Sequence, residues 1–143
     1  MDYDYLNRKG GHNKIFKRNK FIYKFFCNEN KYYREKEFYL NTKDKLWFIP
    51  KLYYFSDKRK LLIIQNVGKH ITEKELIKEQ EWIKILFKIM IMNTGYYHND
   101  LCFKNVCKNS RNQYFIIDFE TSDKKLNNTT RKSKFFRIDK LFV

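Results

Sequence analysis

The sequence predicts an α+β fold in which a small antiparallel sheet with one helix precedes a smaller, mainly helical part. Short segments rich in β-branched and aromatic residues alternate with polar turns between residues 2 and 67. One helical pattern interrupts them at residues 28–41, and a longer one covers residues 72–93. A chain of 143 residues supports one domain, with a single core or two small lobes.

The composition supports a folded core and excludes wholesale disorder, since 43% of the residues are hydrophobic and 19% are aromatic. A formal charge of +15 arises from 31 Lys and Arg against 16 Asp and Glu. Such a field attracts nucleotide phosphates, nucleic acid or acidic protein surfaces. The abundance of Lys, Asn and Ile is also typical of A/T-rich genomes, including those of some large DNA viruses, and this usage is the alternative explanation for much of the charge.

The cysteines and the longest apolar run indicate an intracellular protein. Cys27, Cys102 and Cys107 have no metal-ligand spacing, and an odd number of cysteines suits reduced thiols. The apolar run 82–92 is interrupted by Lys84 and Lys88, so it is not a membrane span. With an N-terminus that is acidic and aromatic, these features predict the cytoplasm, of the cell or of a host.

The first part of the chain reads as five strands around one helix. The strands are predicted at residues 2–8, 14–17, 21–26, 47–55 and 61–67, with turns at 10–13, 18–20 and 56–60. Lys24 lies between apolar neighbours in the third strand. The helix 28–41 can be capped by Asn28 or Asn30, and its inward face is predicted to carry Glu35 among aromatic residues.

The second part begins with the strongest helical pattern of the chain. Thr72 and Glu75 have the spacing of a capping box, an apolar stripe follows, and Gly95 is a plausible C-cap. Farther on, residues 105–117 read as a strand, a polar turn and a return strand. A hairpin of this kind brings Asn105 and Asp118 to the same end.

Polar residues cluster between positions 97 and 120 in a pattern suited to phosphoryl transfer. This chemistry needs a carboxylate that orients the attacking hydroxyl, and oxygen ligands that hold Mg²⁺ against the phosphates. Asp100 fits the first role, while Asn105 and Asp118 fit the second because Mg²⁺ prefers oxygen donors. The alternative is that these residues lie in a solvated loop and a strand that ends in a turn.

The same residues resemble two motifs of the protein-kinase-like superfamily, the catalytic loop H-R-D-L-x-x-x-x-N and the metal motif D-F-G. The first corresponds to residues 98–105 (HNDLCFKN) and the second to residues 118–120 (DFE). Asn99 replaces the Arg, and Glu120 replaces the Gly. Both departures resemble the atypical branch, which includes aminoglycoside and choline kinases, RIO kinases and the small kinase of the KEOPS complex. The lost Arg argues against control by a phosphorylated activation loop.

The resemblance implies an ATP- and Mg²⁺-dependent phosphotransferase and assigns further residues. Lys24 would contact the phosphates and pair with a helix glutamate, Glu35 or alternatively Glu37. The glycine pair 10–11 (Gly10 and Gly11) would form a flap over the phosphates. Gln65 and Val67 would belong to the hinge beside the adenine.

The resemblance covers roughly residues 4–122 and implies an N-lobe at 1–67, a minimal C-lobe at 68–122 and a basic tail at 123–143. No A-P-E motif follows Glu120, so a homodimer or a partner protein is expected to cover the short C-lobe. A serine/threonine protein kinase is the leading interpretation, with a small-molecule acceptor also open. A non-catalytic kinase-like binding module and a basic nucleic-acid-binding protein are the alternatives.

Overall fold

The computed structural model describes the backbone of residues 4–7 and residues 13–126 in full. A five-stranded sheet, antiparallel throughout, has the strand order β1-β2-β3-β5-β4. Its strands are β1 (Asp4–Asn7), β2 (Lys14–Arg18), β3 (Phe21–Phe25), β4 (Leu52–Ser56) and β5 (Leu61–Gln65). The predicted α+β class with a small antiparallel sheet is confirmed.

Helix α1 (Glu29–Asn41) follows β3 and packs on one face of the sheet. The Asn28 side chain accepts a hydrogen bond from the Lys31 N–H at 3.0 Å, which caps the helix as the sequence predicts. Four residues of α1 are buried, and they are the face that helical spacing predicts: Tyr32, Glu35, Phe38 and Tyr39.

The fourth strand is shorter than predicted and begins at Leu52 rather than at residue 47. Pro50 has no N–H to donate to a sheet. Phe48 is fully buried, and its carbonyl accepts a hydrogen bond from the Ile116 N–H at 2.8 Å. The segment before β4 therefore joins the second part of the molecule instead of extending the first sheet.

The second part contains a three-stranded antiparallel sheet with the order β6-β7-β8. Its elements are β6 (Lys69–His70), α2 (Glu73–Lys78), α3 (Gln80–Thr94), a 3-10 helix (Phe103–Asn105), β7 (Val106–Lys108) and β8 (Tyr114–Ile116). Thr72 caps α2 by accepting from the Glu75 N–H at 3.1 Å, and Gly95 ends α3 in the left-handed conformation, with φ 74°. Both caps agree with the sequence prediction.

The single helix predicted at residues 72–93 is instead two helices that meet at Glu79. Glu79 leaves helical geometry, with φ −104° and ψ 17°. Its N–H still donates to the Glu75 carbonyl at 2.9 Å, and its own carbonyl accepts from the Ile83 N–H at 3.0 Å. The helical pattern is interrupted there without loss of these hydrogen bonds, at a position that is neither Gly nor Pro.

One hydrophobic cluster includes side chains from both parts of the molecule. Phe38 from α1 and Leu62 from β5 belong to it, together with Phe87 from α3 and Ile116 from β8. In contrast, Trp82, Ile85 and Met92 of α3 are 44%, 46% and 68% exposed. No helix in the described part of the chain is long and apolar enough to cross a membrane.

Candidate active site

A buried ion-pair cluster joins the first sheet, α1 and the segment after β8. The Lys24 Nζ atom lies 2.9 Å from Glu35 Oε1, 3.0 Å from Asp118 Oδ1 and 3.7 Å from Glu120 Oε2. Lys24 and Asp118 are 4% and 5% exposed, and Glu35 is fully buried. The Asn13 side chain donates to Glu120 Oε2 at 2.7 Å. Three carboxylates therefore surround one ammonium group that is almost completely buried.

Burial and charge act in opposite directions on this cluster. Burial works against the charge of Lys24, but the carboxylates of Asp118, Glu35 and Glu120 outweigh it and raise the pKa of Lys24. Burial also raises the pKa of Glu35, although the Lys24 charge opposes this effect. Glu35 Oε2 is buried without a hydrogen-bond partner among the described residues. The cluster thus carries more negative charge than Lys24 alone neutralises.

The metal-motif segment is held in place by its own backbone and by aromatic packing. Asp118 has a left-handed φ of 66°, a conformation that Asp tolerates better than most residues. The Phe119 N–H donates to Glu35 Oε1 at 2.9 Å. The Phe119 ring is fully buried and stacks on Phe38 with 3.9 Å between the ring centroids. These contacts fix the direction in which the Asp118 carboxylate projects.

The His98 ring holds residues 98–105, the predicted catalytic loop, through both of its nitrogen atoms. Its Nε2 atom lies 2.7 Å from the Ile117 carbonyl, and its Nδ1 atom accepts from the Asp100 N–H at 3.2 Å. These partners require a neutral ring with the proton on Nε2. Burial lowers the pKa of His98, which also favours the neutral form. His98 is therefore a positioning residue that links the Asp100 backbone to the strand end before Asp118.

The lowered pKa of His98 predicts a pH-dependent stability. Because the unfolded chain binds this proton more readily, the stabilisation is complete above about pH 6.5 and is lost as the pH falls. One proton accounts for at most about 1.4 kcal/mol per pH unit in the free energy of unfolding. Urea unfolding at several pH values should show a steeper loss for the parent than for His98→Gln. An equal pH dependence of the unfolding free energy in the two proteins would contradict the lowered pKa of His98.

Asn105 and Asp118 lie at the same end of the β7–β8 hairpin, as the sequence predicts. The strands pair antiparallel, and the Ile117 N–H donates to the Asn105 carbonyl at 2.9 Å. The Asn105 amide nitrogen donates to the Asp100 carbonyl at 2.8 Å and to Asp100 Oδ2 at 3.1 Å. The Asn105 amide oxygen is thereby turned away from Asp100, while the Asp100 residue is exposed to solvent.

The donor set near Asn105 suits a hard divalent cation. An amide oxygen and a carboxylate are ligands that Mg²⁺ accepts, with water and phosphate oxygens completing its coordination. Among the described residues, no group of three or more His, Cys, Asp or Glu side chains is arranged to hold a metal. Asn105 and Asp118 each supply an oxygen donor of this type.

A small cleft of about 100 Å³, partly open to solvent, lies beside the ion-pair cluster. Its apolar walls include Ile15, Ile22 and Ile64, and its polar lining includes Lys17, Lys24, Glu35, Gln65, Lys104 and Asp118. Val67 also lines it. Its apolar walls suit an apolar ring, and its lysines suit a negatively charged group attached to that ring.

The predicted hinge residues lie at the cleft, and most of their amides have partners. The Gln65 N–H donates to the Lys51 carbonyl at 2.9 Å, and the Asn66 N–H donates to the Lys20 carbonyl at 2.8 Å. Gly68 follows with φ +103°, and a Cβ there would lie 2.4 Å from the Lys108 carbonyl oxygen. Glycine is required at this close approach of two backbones.

The structure distinguishes between Glu35 and Glu37, the two predicted partners of Lys24. Glu35 contacts Lys24, whereas Glu37 is exposed on the other side of α1. Gly10 and Gly11, predicted to line the nucleotide phosphates, lie outside the described residues, as does most of the predicted basic tail.

Sequence reasoning missed the contacts of Asn13, Asn99 and Glu120. Asn99 has φ 67°, and its side chain donates to the carbonyls of Thr121 at 3.3 Å and Lys125 at 2.9 Å. It thus holds the segment after the metal motif directly. The ability of Asn to adopt positive φ was the available signal for Asn99. The contact between Asn13 and Glu120 joins positions 107 residues apart, and no local pattern indicates it.

Comparison with known proteins supports a coarsely kinase-like fold. No protein-family model matches the chain, and no curated sequence matches it. A structure of monomeric WbdD aligns with a TM-score of 0.71 and 13% identity, over 100% of this chain and 41% of that chain. A structure described as the bifunctional kinase-methyltransferase WbdD aligns with a TM-score of 0.62 and 14% identity, over 87% and 34%.

A co-crystal structure of WbdD with the kinase inhibitor LY294002 gives a TM-score of 0.61 at 14% identity, over 85% of this chain and 33% of that chain. The chain therefore spans about a third to two fifths of the WbdD chains that it matches. At these identities the likeness concerns the fold.

Proposed function

We propose that the protein is a minimal kinase-type phosphotransferase that uses ATP and Mg²⁺ and phosphorylates a serine or threonine hydroxyl of a protein. The observation that carries the proposal is the buried contact of Lys24 with Glu35 and Asp118 beside the cleft. The loop with Asp100 and Asn105 lies at the same end of the β7–β8 hairpin as Asp118. These groups have the chemical types that phosphoryl transfer requires.

Each residue has a distinct task in this proposal. Lys24, oriented by Glu35, holds phosphate oxygens of the nucleotide in the cleft. Asn105 and Asp118 would hold Mg²⁺, which supplies neutralisation of the phosphate charge when bound. Asp100 accepts the proton of the attacking hydroxyl, and the hydrogen bond from Asn105 orients its carboxylate. The Val67 backbone would meet the edge of the base.

The exposure of Asp100 supports a large acceptor, because a protein segment can reach it from solvent. A small-molecule acceptor would instead need walls around Asp100. A partner or a second copy stays a prediction, for which the exposed side chains of Trp82, Ile85 and Met92 offer a surface.

A nucleotide-binding module without transfer is the second candidate. One observation favours it: Lys24 contacts Asp118 Oδ1 at 3.0 Å, so it uses an oxygen of the predicted metal ligand. A module of this kind would bind nucleotide in the cleft without completing the reaction.

Transfer of labelled phosphate from ATP tests the proposal. The full-length protein with Mg²⁺ and a general protein acceptor should show labelling that falls by about 10²–10⁴ in Asp100→Asn, because the proton acceptor is lost. Asp118→Asn should also lose transfer, whereas Glu37→Gln, which alters an exposed carboxylate of the same helix, should retain it. Equal labelling in all four proteins would exclude the catalytic assignment.

Thermal unfolding with ATP and Mg²⁺ separates the two candidates. A ligand stabilises the folded state that binds it. Stabilisation of the parent without any transfer would support the binding module. If the parent shows no stabilisation and no transfer, both candidates are excluded.

A further inference from the structure

We propose that the solvent-facing side of the five-stranded sheet binds single-stranded nucleic acid by stacking bases on its aromatic rings. This surface, here called the outer face, lies opposite the side that carries Lys24 and the cleft. The proposal does not depend on phosphoryl transfer.

The strand register defines the outer face. Side chains alternate between the two sides of a sheet, and residues that pair across strands share a side. Lys24 pairs with Ile15 and Leu62, and this row faces α1 and the cleft. The next row must face the other way, and it runs across four strands through Phe16, Tyr23, Ile63 and Tyr54.

The rows two residues to either side of it continue the same surface. Phe25 pairs with Lys14, and Phe21 pairs with Arg18. Phe16 and Phe25 meet edge to face, with 5.9 Å between ring centroids. The outer face therefore carries rings on β2, β3 and β4, with Ile63 of β5 between the rings of β3 and β4.

These rings are accessible to a ligand. Tyr54 is 55% exposed, and Tyr53, which meets the Phe21 ring at 5.3 Å, is 47% exposed. Tyr23 and Phe25 are half-buried, unlike the fully buried rings of the core. A large aromatic surface that keeps contact with water indicates an interaction site.

The charge on this face selects the partner. Lys14 and Arg18 occupy outer-face positions on β2, and the Lys20 ammonium lies 5.5 Å from the Phe21 ring centroid. The outer-face positions on β2, β3 and β4 include no Asp or Glu. A cationic, carboxylate-free surface with the chain's charge of +15 favours a polyanion.

Rings combined with cations favour single strands over duplexes. An unpaired base has a free face that stacks on an aromatic side chain, while Lys and Arg contact the phosphates. Bases within a duplex already stack on each other, so the rings would gain nothing from it. Stacking tolerates all bases, so we expect little sequence preference.

Fluorescence anisotropy with a labelled oligouridylate of about twelve nucleotides tests the proposal on the full-length protein. The parent should bind this strand more tightly than a duplex of equal length. Removal of each ring, in Tyr23→Ala and Tyr54→Ala, should weaken binding about tenfold, whereas Tyr23→Phe and Tyr54→Phe should bind like the parent because they retain the ring. Thermal unfolding of each variant establishes that it is folded.

Two control variants test whether binding depends on the outer face. Trp47→Ala removes a ring that is 64% exposed but lies outside the outer face, and its affinity should equal that of the parent. Asp118→Asn should also bind normally, which separates this result from the test of phosphoryl transfer. The proposal is overturned if the parent does not bind the strand at low salt. It is equally overturned if duplex competes as well as single strand and the alanine variants bind like the parent, because charge alone would then explain binding.

Discussion

Lys24→Met is expected to lower the free energy of unfolding by about 3–5 kcal/mol, because it leaves buried charge without its partner. Glu35 and Asp118 would then lose the ammonium group that lies 2.9 and 3.0 Å from them, while Glu120 would keep Lys31, whose Nζ atom lies 3.8 Å from its Oε1 atom. The pKa of Glu35 would rise further, because the Lys24 charge that now lowers it is lost. This variant should therefore become more stable relative to the parent as the pH falls. Phosphoryl transfer should be abolished. Urea unfolding and the labelling assay measure the two effects.

A double variant distinguishes the two roles of Lys24. Lys24→Met combined with Glu35→Gln removes one of the unbalanced charges, so it should recover part of the lost stability. It should not recover transfer, since the cation for the phosphates is still missing. If the single variant is as stable as the parent at neutral pH, the cluster does not carry the charge imbalance inferred for it.

Phe119→Ala is expected to cost about 3–5 kcal/mol of unfolding free energy, the range for truncating a buried aromatic side chain. Phe119 stacks on Phe38 and meets the rings of Tyr39 and His98 at 5.6 and 5.2 Å. Transfer should fall in the folded fraction as well, because Asp118 precedes this anchor directly. Equilibrium unfolding at neutral pH gives the magnitude.

Two further variants serve as controls for the effect of Phe119→Ala. Phe119→Leu refills much of the cavity and should cost less than Phe119→Ala. Trp47→Ala removes a larger ring, but that ring is 64% exposed, so its effect should be small. A loss in Phe119→Ala no larger than that in Trp47→Ala would show that the stacked ring contributes little.

Most of the local structure follows from sequence periodicity. Alternation identified the strands that hold Lys24, and helical spacing placed Glu35 on the buried face of α1 and left Glu37 outside it. Caps at Asn28, Thr72 and Gly95 were predictable because each satisfies the open hydrogen bonds of a helix end.

The errors occurred where distant contacts override local preference. Phe48 lies in a strand-like sequence, yet its side chain is buried in the core. Its carbonyl accepts a hydrogen bond from the Ile116 N–H of the other sheet. The helix is interrupted at Glu79, where no Gly or Pro indicates a break. The role of Glu120 beside Lys24 and Asn13 depends on folding of the whole chain, which no short window of sequence contains.

The hydrophobic cluster that unites the two parts has a consequence for how the site forms. Phe38 and Phe119 stack across the boundary between α1 and the metal motif, so neither part can complete its interior alone. Folding and assembly of the site are thus one cooperative event. A destabilising substitution in that shared interior, however far from the cleft, is therefore expected to lower the proposed activity by lowering the population of the native state.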